Sequence, residues 1–384
     1  MHILHVGKFY YPFRGGMETV VRDICQGLVQ EDIKVTVVCS NTKFSTEYEI
    51  IQGVEVIRIG SLGNLFGQCL NIGILWQLRK LAQSADIIHV HGPNPLSELA
   101  TLFIPKEKTV IYTHHSDVVR QKLLLPFYRP LLKKFLSRVS KIFVPTENHI
   151  KFSSFLPHFK EKCVEVPFTI NPALFHKNGE VEKEIKELKS VYGNYALFVG
   201  RLVGYKGVNI LIEAMREVDQ QLLIVGEGPE ENELKNLAQK YGLEKRIHFL
   251  GRVQDRALFS ALYHACHMLV LPSVSANENF GVVQIEAMYC SRPVVTTDLP
   301  SGVPAVGIKN ETCLIVPPSN SSRLAMAMAM LFNNPELADS MGRKGHERFL
   351  IKYAPELMIN KIIEEYELSS QIAVAKSNAL KKSA

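Results

Sequence analysis

The chain has 384 residues, long for one hydrophobic core, so two domains are expected. Its residues are 46% hydrophobic and 21% charged, the balance of an ordinary globular protein, and no apolar run reaches the roughly 20 residues a membrane span needs. The net charge of +6 favours anionic partners mildly, leaving phosphorylated metabolites, anionic lipid and nucleic acid open.

His2 to Val6 is predicted as a short apolar strand with a turn after it, and the absence of a basic leader or cleavage site predicts no signal peptide. Arg14-Gly15-Gly16 precedes a helix from about Met17 to Gln30 and the strand Lys34 to Ser40. This unit puts glycines where a backbone can approach phosphate. It lacks the full G-x-G-x-x-G fingerprint and an acid after the second strand, which disfavours dinucleotide binding. For Gly15 and Gly16 a tight turn and a direct ligand contact both stay open.

Val54 to Ile59 is the next strand, Asn71 to Ser84 a helix, and Asp86 to Val90 a buried strand ending at His89, His91 and Asn94. The strand Thr109 to Thr113 ends at His114, His115 and Asp117. Strands alternating with helices argue for a parallel α/β sheet whose ligands gather at the strands' carboxyl ends. Both histidine-bearing ends are therefore expected to face one crevice, with His91, Asn94, His114, His115 and Asp117 as candidates there.

From Lys122 to Lys141 the chain carries Lys122, Arg129, Lys133, Lys134, Arg138 and Lys141 without an acid. Leu124, Tyr128, Leu131, Phe135 and Val139 share a helical face, although Pro126 and Pro130 interrupt the start. A helix lying on an anionic membrane surface and a core-packed helix with a solvated basic face both fit. Strands at Lys141 to Pro145 and Cys163 to Val166 close this half. The proline-punctuated stretch Pro167 to Pro172 sets the expected boundary between residues 1–172 and 173–354.

The strand Tyr195 to Val199 leads into Gly200-Arg201-Leu202-Val203-Gly204-Tyr205-Lys206-Gly207 and a helix from Val208. A glycine-bounded loop with two cations before a helix suits a diphosphate, although it is not a Walker A loop. Further strands are expected at Gln221 to Val225, Ile247 to Leu250, Met268 to Leu271 and Thr312 to Val316. The turn Gly226-Glu227-Gly228-Pro229, weak as a signal by itself, leads into a helix from Glu230 to Tyr241.

Pro272 to Asp298 is the most informative stretch. Pro272 stops an apolar strand, and a polar loop carries Glu278 between Asn277 and Asn279. Phe280-Gly281 opens a helix through Val282, Ile285, Glu286 and Met288. Unpaired N–H groups at a helix start seat phosphate, and the carboxylates of Glu278 and Glu286 accept hydroxyls, so a phosphorylated, polyhydroxylated ligand is predicted. Residues 355–370 form an amphipathic helix expected to pack back on the first domain, and residues 375–384 are expected to fray. Seven cysteines without a C-x-x-C pair read as free buried thiols in a reducing cytoplasm, not as a zinc site. The architecture expected is α/β: two doubly wound, parallel-sheet (Rossmann-like) domains facing across a cleft.

These motifs together resemble the retaining, GT-B-fold glycosyltransferases of family 4 over nearly the whole chain. The resemblance rests on Tyr11-Pro12 with Gly15-Gly16-Met17-Glu18, the two histidine-bearing strand ends, Gly200-Arg201 to Lys206-Gly207, Gly226-x-Gly228-Pro229, and Glu278-x-Phe280-Gly281 to Glu286-Ala287-Met288 followed by Pro293-Val294-Val295. His115-Ser116-Asp117 with Val118-Val119-Arg120-Gln121, and Ser301-Gly302-Val303-Pro304, resemble its mannosyltransferase-like branch of polysaccharide and lipopolysaccharide assembly.

The resemblance implies a hexosyltransferase with a nucleotide sugar as co-substrate, held mainly by the C-terminal domain. Arg201 and Lys206 would neutralise its diphosphate, Glu286 would hold the ribose and Glu278 the sugar, with Gly226, Asn279, Phe280, Gly281 and Val282 beside them. Gly15 and Gly16 would meet the diphosphate from the N-terminal domain, and His115 the sugar on the acceptor side. Front-face attack with the donor phosphate taking the acceptor proton is the mechanism proposed for the family. GDP-mannose is the favoured donor, with UDP-sugars next. The acceptor is a glycan or lipid-linked sugar, and no nucleic acid is expected. No Asp-x-Asp pair occurs, so no metal is expected. The place is the cytoplasm, with the inner membrane face open through residues 122–141. Tyr289 and Arg292 depart from the family's small residues and glycine, and Phe168-Thr169-Ile170 from a glycine-containing linker. A synthase or pyridoxal-dependent phosphorylase of the same fold and an inactive sugar-nucleotide-binding protein are the alternatives.

Overall fold

The structure is a computed structural model that describes residues 1–13, 15–65, 68–117 and 125–383. Arg14, the 118–121 part of the branch motif, and Lys122 and Leu124 of the basic segment lie outside the described residues. The chain forms two compact units, Met1–Thr169 with Pro355–Ala384, and Ile170–Ala354.

The sheet of unit 1 contains β1 (His2–Val6), β2 (Lys34–Ser40), β3 (Glu47–Ile51), β4 (Val54–Ile59), β5 (Ile87–Gly92), β6 (Thr109–His114), β7 (Lys141–Val144) and β8 (Cys163–Glu165). Their order is β8-β7-β6-β5-β1-β2-β4-β3, and only the β3–β4 pair is antiparallel. β3 escaped sequence reading because its apolar residues Tyr48 and Ile50 lie exposed at the sheet edge and alternate with Glu47 and Glu49. β5 runs two residues further than expected and takes His91 into the sheet, while the helix expected over 71–84 is Ile74–Leu81. Among the described residues the chain order reverses between β1 and β5, where His5 stands in register with His89.

Helix α1 (Gly16–Gln30) buries Val20, Val21, Ile24, Cys25 and Leu28, a stripe at helical spacing. In α2 (Leu125–Arg138), Tyr128, Leu132, Phe135 and Leu136 belong to the core of unit 1. The apolar face of this helix is thus committed to the core, each such side chain contributing about 1.5–3 kcal/mol by burial. Arg129, Lys133 and Lys134 remain exposed, while Arg138 donates to the carbonyls of Pro105 (2.9 Å) and Lys108 (2.8 Å).

Unit 2 is built on β9 (Tyr195–Val199), β10 (Gln221–Val225), β11 (Ile247–Gly251), β12 (Met268–Leu271), β13 (Val294–Thr297) and β14 (Cys313–Val316). All pairs are parallel in the order β11-β10-β9-β12-β13-β14. The order reverses between β9 and β12, so the loops leaving their carboxyl ends border the crevice where such sheets bind ligands. Helices α3 (Val208–Ala214) and α4 (Val283–Tyr289) follow those two loops.

The last helix, α5 (Pro355–Ser383), belongs to unit 1 and buries Met358, Ile362 and Tyr366. It lies so close to α1 that a Cβ on Gly27 would meet Ile359 Cδ1 at 2.4 Å. The helix extends through Ser383, a stretch rich in alanine, lysine and leucine with no glycine or proline. All seven cysteines are free, and only Cys163 is less than buried. Among the described residues, no helix is long and apolar enough to cross a membrane.

Candidate active site

At the strand-order reversal of unit 2, two glycine loops press backbone on backbone. Gly200 N donates to Val225 O and Leu202 N to Glu227 O, both at 2.9 Å. A Cβ on Gly226, which also has φ +131°, would lie 1.9 Å from Gly200 O. Packing alone therefore demands that glycine. The 200–207 loop next meets the end of β12: a Cβ on Gly207 would lie 2.1 Å from Pro272 O, and Val274 N donates to Tyr205 O at 2.8 Å.

This meeting of loops sets Lys206 against Glu278. Lys206 Nζ lies 2.5 Å from Glu278 Oε2, with the two side chains 12% and 10% exposed. Ser273 Oγ donates to the same oxygen at 3.0 Å, and Ser273 O in turn accepts from Thr297 Oγ1 at 2.6 Å. Burial would push the Lys206 ammonium pKa down, but the charge and hydrogen bond of Glu278 outweigh it and hold it above the ordinary value. On α4, Glu286 accepts a hydrogen bond from Tyr263 OH at Oε2. Burial pushes its carboxyl up to about 7, against the opposing pull of Tyr263 and Lys206. Arg201 is exposed on the same loop and makes no ion pair among the described residues.

Gly281 has φ +75°, and a Cβ there would meet Leu271 Cδ2 at 2.6 Å, so glycine is required before any ligand is considered. The helix expected to open at Phe280 starts at Val283, with Val282 as its cap. Phe280 is buried, its carbonyl accepts from Gln284 Nε2 at 3.1 Å, and Asn279 O accepts from Gly302 N at 2.8 Å. The unusual segment after α4 is accommodated by Ser291 at φ +55° and by Tyr289 packed edge-on to Phe349 at 5.1 Å.

In unit 1 the histidines separate. Successive residues of a strand point to opposite faces, so His114 and His115 cannot share one. His114 Nε2 lies 3.1 Å from Asp117 Oδ1, and Asp117 also accepts from Ser153 Oγ (2.8 Å) and Ser154 N (2.9 Å). Asn94, at the start of the helix Pro95–Thr101, donates its N–H to Glu98 Oε1 at 2.9 Å. His91 instead joins His115, Nδ1 to Nε2 at 3.2 Å, and its own Nε2 lies 2.9 Å from His5 Nδ1. The two histidine-bearing ends thus meet through His91 and His115, as expected, while His114 turns to the other face with Asp117.

His5, His89 and His91 bring one ring nitrogen each within 4.8 Å of one another, a spacing compatible with a metal. Both nitrogens of His89 are already engaged, by Tyr366 OH and Thr113 Oγ1 at 2.6 Å each, and the other two rings bond each other. The arrangement is a hydrogen-bonded imidazole cluster. Burial pushes His5 and His115 down to about 3, and His89 and His91 well below the ordinary range, so these rings are neutral at neutral pH. At the start of α1, a Cβ on Gly15 would fall 2.2 Å from Glu18 Oε2, whereas one on Gly16 would meet nothing within 4 Å.

Sequence reasoning passed over His5, Tyr263, Ser273 and Tyr366. The one available signal was the period-two spacing of His89 and His91, which puts both on one sheet face.

Two doubly wound, almost wholly parallel sheets define the GT-B fold, and the lysine–glutamate pair lies where the strand order of the second reverses. The model of "Glycosyl transferases group 1" matches residues 180–348 and that of "Glycosyltransferase Family 4" residues 14–151. The chain is 30% identical over 351 residues to D-rhamnosyltransferase WbpZ of Pseudomonas aeruginosa, covering 91% of each chain. It is 28% identical over 368 residues to O-antigen chain mannosyltransferase C of Escherichia coli, covering 95% of this chain and 98% of that one. The sucrose-phosphate synthase structure from Thermosynechococcus elongatus superposes with a TM-score of 0.77 at 22% identity, over 97% of this chain and 99% of that one. The protein belongs to glycosyltransferase family 4, a family of retaining hexosyltransferases.

Proposed function

We propose that the protein transfers mannose from GDP-mannose to a glycan or lipid-linked acceptor in cell-envelope polysaccharide synthesis, without a metal. The Lys206–Glu278 pair at the strand-order reversal of unit 2, with Glu286 near enough to act on the same ammonium, carries the reading. Lys206 and Arg201 neutralise the diphosphate and the charge that grows on it as the glycosidic bond breaks. Glu286 accepts the ribose hydroxyls beside the bond it receives from Tyr263. Glu278 accepts sugar hydroxyls and shares Lys206 with the phosphate. Gly226, Asn279, Phe280, Gly281 and Val282 frame this donor site.

Unit 1 serves the acceptor side. Gly16 supports contact with the diphosphate, since no packing among the described residues demands glycine there. His115 meets the sugar, with His91 behind it. His114 and Asp117 act through each other, since their hydrogen bonds already close within the unit. The donor phosphate takes the acceptor proton on the face the nucleotide leaves, which needs no protein nucleophile. The O-antigen chain mannosyltransferase among the relatives described above supports mannose. Exposed Lys133 and Lys134 support a salt-sensitive contact with the anionic inner membrane face.

A thermal-shift panel of GDP, GDP-mannose, UDP and UDP-glucose tests the donor, because a ligand bound to the native state raises stability by mass action. GDP-mannose is expected to give the largest shift. A larger shift with UDP-glucose reassigns the base, and binding without transfer or donor hydrolysis identifies a sugar-nucleotide-binding protein. Loss of activity with a chelator, restored by a divalent cation, contradicts metal independence.

A further inference from the structure

The buried imidazoles of unit 1 carry a direction. We infer that His5 and His91 form a one-way hydrogen-bond chain that fixes the tautomer of His115, so that His115 offers Nδ1–H, a donor, to its ligand.

The chain runs from His5 Nδ1 to His91 Nε2 at 2.9 Å and from His91 Nδ1 to His115 Nε2 at 3.2 Å. A neutral imidazole has one N–H and one lone pair, so each link needs a donor on one side and an acceptor on the other. Burial keeps all three rings neutral. Only two arrangements then satisfy both links, and they are opposite in direction. They differ at the ends: either His5 Nε2 carries a proton and His115 Nδ1 a lone pair, or the reverse.

His5 decides between them. Its ring is fully buried, and its Nε2 has no hydrogen-bond partner among the described residues. A proton there would be an orphaned buried N–H, which is costly and rarer in proteins than an under-used acceptor. His5 therefore keeps its lone pair at Nε2 and donates from Nδ1. His91 donates onward from Nδ1, and His115 is left with Nδ1–H. His89 packs over the chain, 4.9 Å from His5 and 4.4 Å from His91 between ring centroids, but its hydrogen bonds go to Tyr366 and Thr113. The charges that bear on His115 are those of His114 and His149, also histidines.

The consequence deepens the proposed function and rests on it for the contact of His115 with ligand. A fixed Nδ1–H can donate to a sugar hydroxyl or phosphate oxygen but cannot take a proton. His115 is thereby a positioning donor and not a general base, and His5 and His91 are positioning residues behind it.

The test is histidine-selective 15N labelling of the full chain, with His115 assigned by its loss in His115→Gln. The result expected is a protonated Nδ1 and a bare Nε2 on His115, with the same tautomer on His5 and His91. Protonated Nε2 on His115 overturns the inference, as does a stoichiometric metal held by the cluster. His5→Asn, whose amide can place an N–H near the lost Nδ1, is expected to keep the tautomer, and His5→Phe to release it and lower kcat about tenfold, the cost of roughly one hydrogen bond. An unchanged tautomer and kcat in His5→Phe removes the directing role. If His5→Phe does not fold, the parent spectrum and His5→Asn still decide. Full activity in His115→Ala contradicts the ligand contact and leaves the tautomer assignment standing.

Discussion

The ammonium of Lys206 stands 2.5 Å from the carboxylate of Glu278, nearly enclosed by protein. Each group neutralises the other before a ligand arrives. Lys206→Ala leaves Glu278 with the Ser273 hydroxyl and an uncompensated charge, so a loss of about 3 kcal/mol in stability is expected. Glu278→Gln should cost less, because the amide oxygen still accepts from the ammonium. Chemical denaturation of the two variants checks the order, and a larger loss in Glu278→Gln contradicts it. In transfer assays Lys206→Ala is expected to lower kcat by about a hundredfold or more, as for removal of a preorganised charge from a leaving group.

Glu286 would give the proposed donor site a pH dependence. Its folded carboxyl sits near 7, raised by burial, and in the proposed contact only its ionised form would accept both ribose hydroxyls. Nucleotide affinity should therefore rise between about pH 6 and pH 8. For stability the sign is opposite: the raised pKa contributes fully below the unfolded carboxyl's range and is lost as pH rises through about 7. Tyr263→Phe removes a bond that holds the carboxyl down, so the affinity midpoint should move upward; a midpoint unmoved in that variant contradicts the assignment.

The buried histidines predict acid sensitivity. Burial pushes His5 and His115 from the ordinary histidine pKa of 6.5 down to about 3 in the folded protein. The unfolded chain binds more protons throughout that window. Stability is full above about 6.5 and falls with pH toward 3, by up to about 1.4 kcal/mol per pH unit for each such histidine. Denaturation midpoints measured down the pH scale check this, and a flat profile between those limits contradicts it.

Two glycines should separate packing from function. Gly226→Ala forces a Cβ against Gly200 O at a strained φ, so the variant should lose stability. Gly16→Ala meets open space and should keep its Tm while transfer slows. Calorimetric scans with activity assays distinguish the two, and a Gly16→Ala protein as active as its parent removes Gly16 from the donor contact.

Most of the sheet framework was legible because parallel strands buried on both faces read as apolar runs, as Met268 to Leu271 and Tyr195 to Val199 do. The edge strand Glu47–Ile51 was not, since its exposed side chains follow no burial pattern. At the strand-order reversal of unit 2, glycines and charges singled out Lys206, Glu278 and Glu286, but Tyr263 lies one helix away and left no local mark. The histidines were visible as residue types, and His91 and His115 do meet, but His114 turns to the opposite face. Their partners His5 and Tyr366 come from β1 and α5, 86 and 277 positions from the residues they bond, and only the folded sheet brings them together.

Calorimetric titration of GDP-mannose into the parent protein, Lys206→Ala and Glu286→Ala tests the central claim most directly. If the strand-order reversal of unit 2 grips the donor, the parent binds and each variant, still folded by circular dichroism, binds about tenfold or more weakly, a loss of at least about 1.4 kcal/mol. Parent-like affinity in both folded variants would contradict the account.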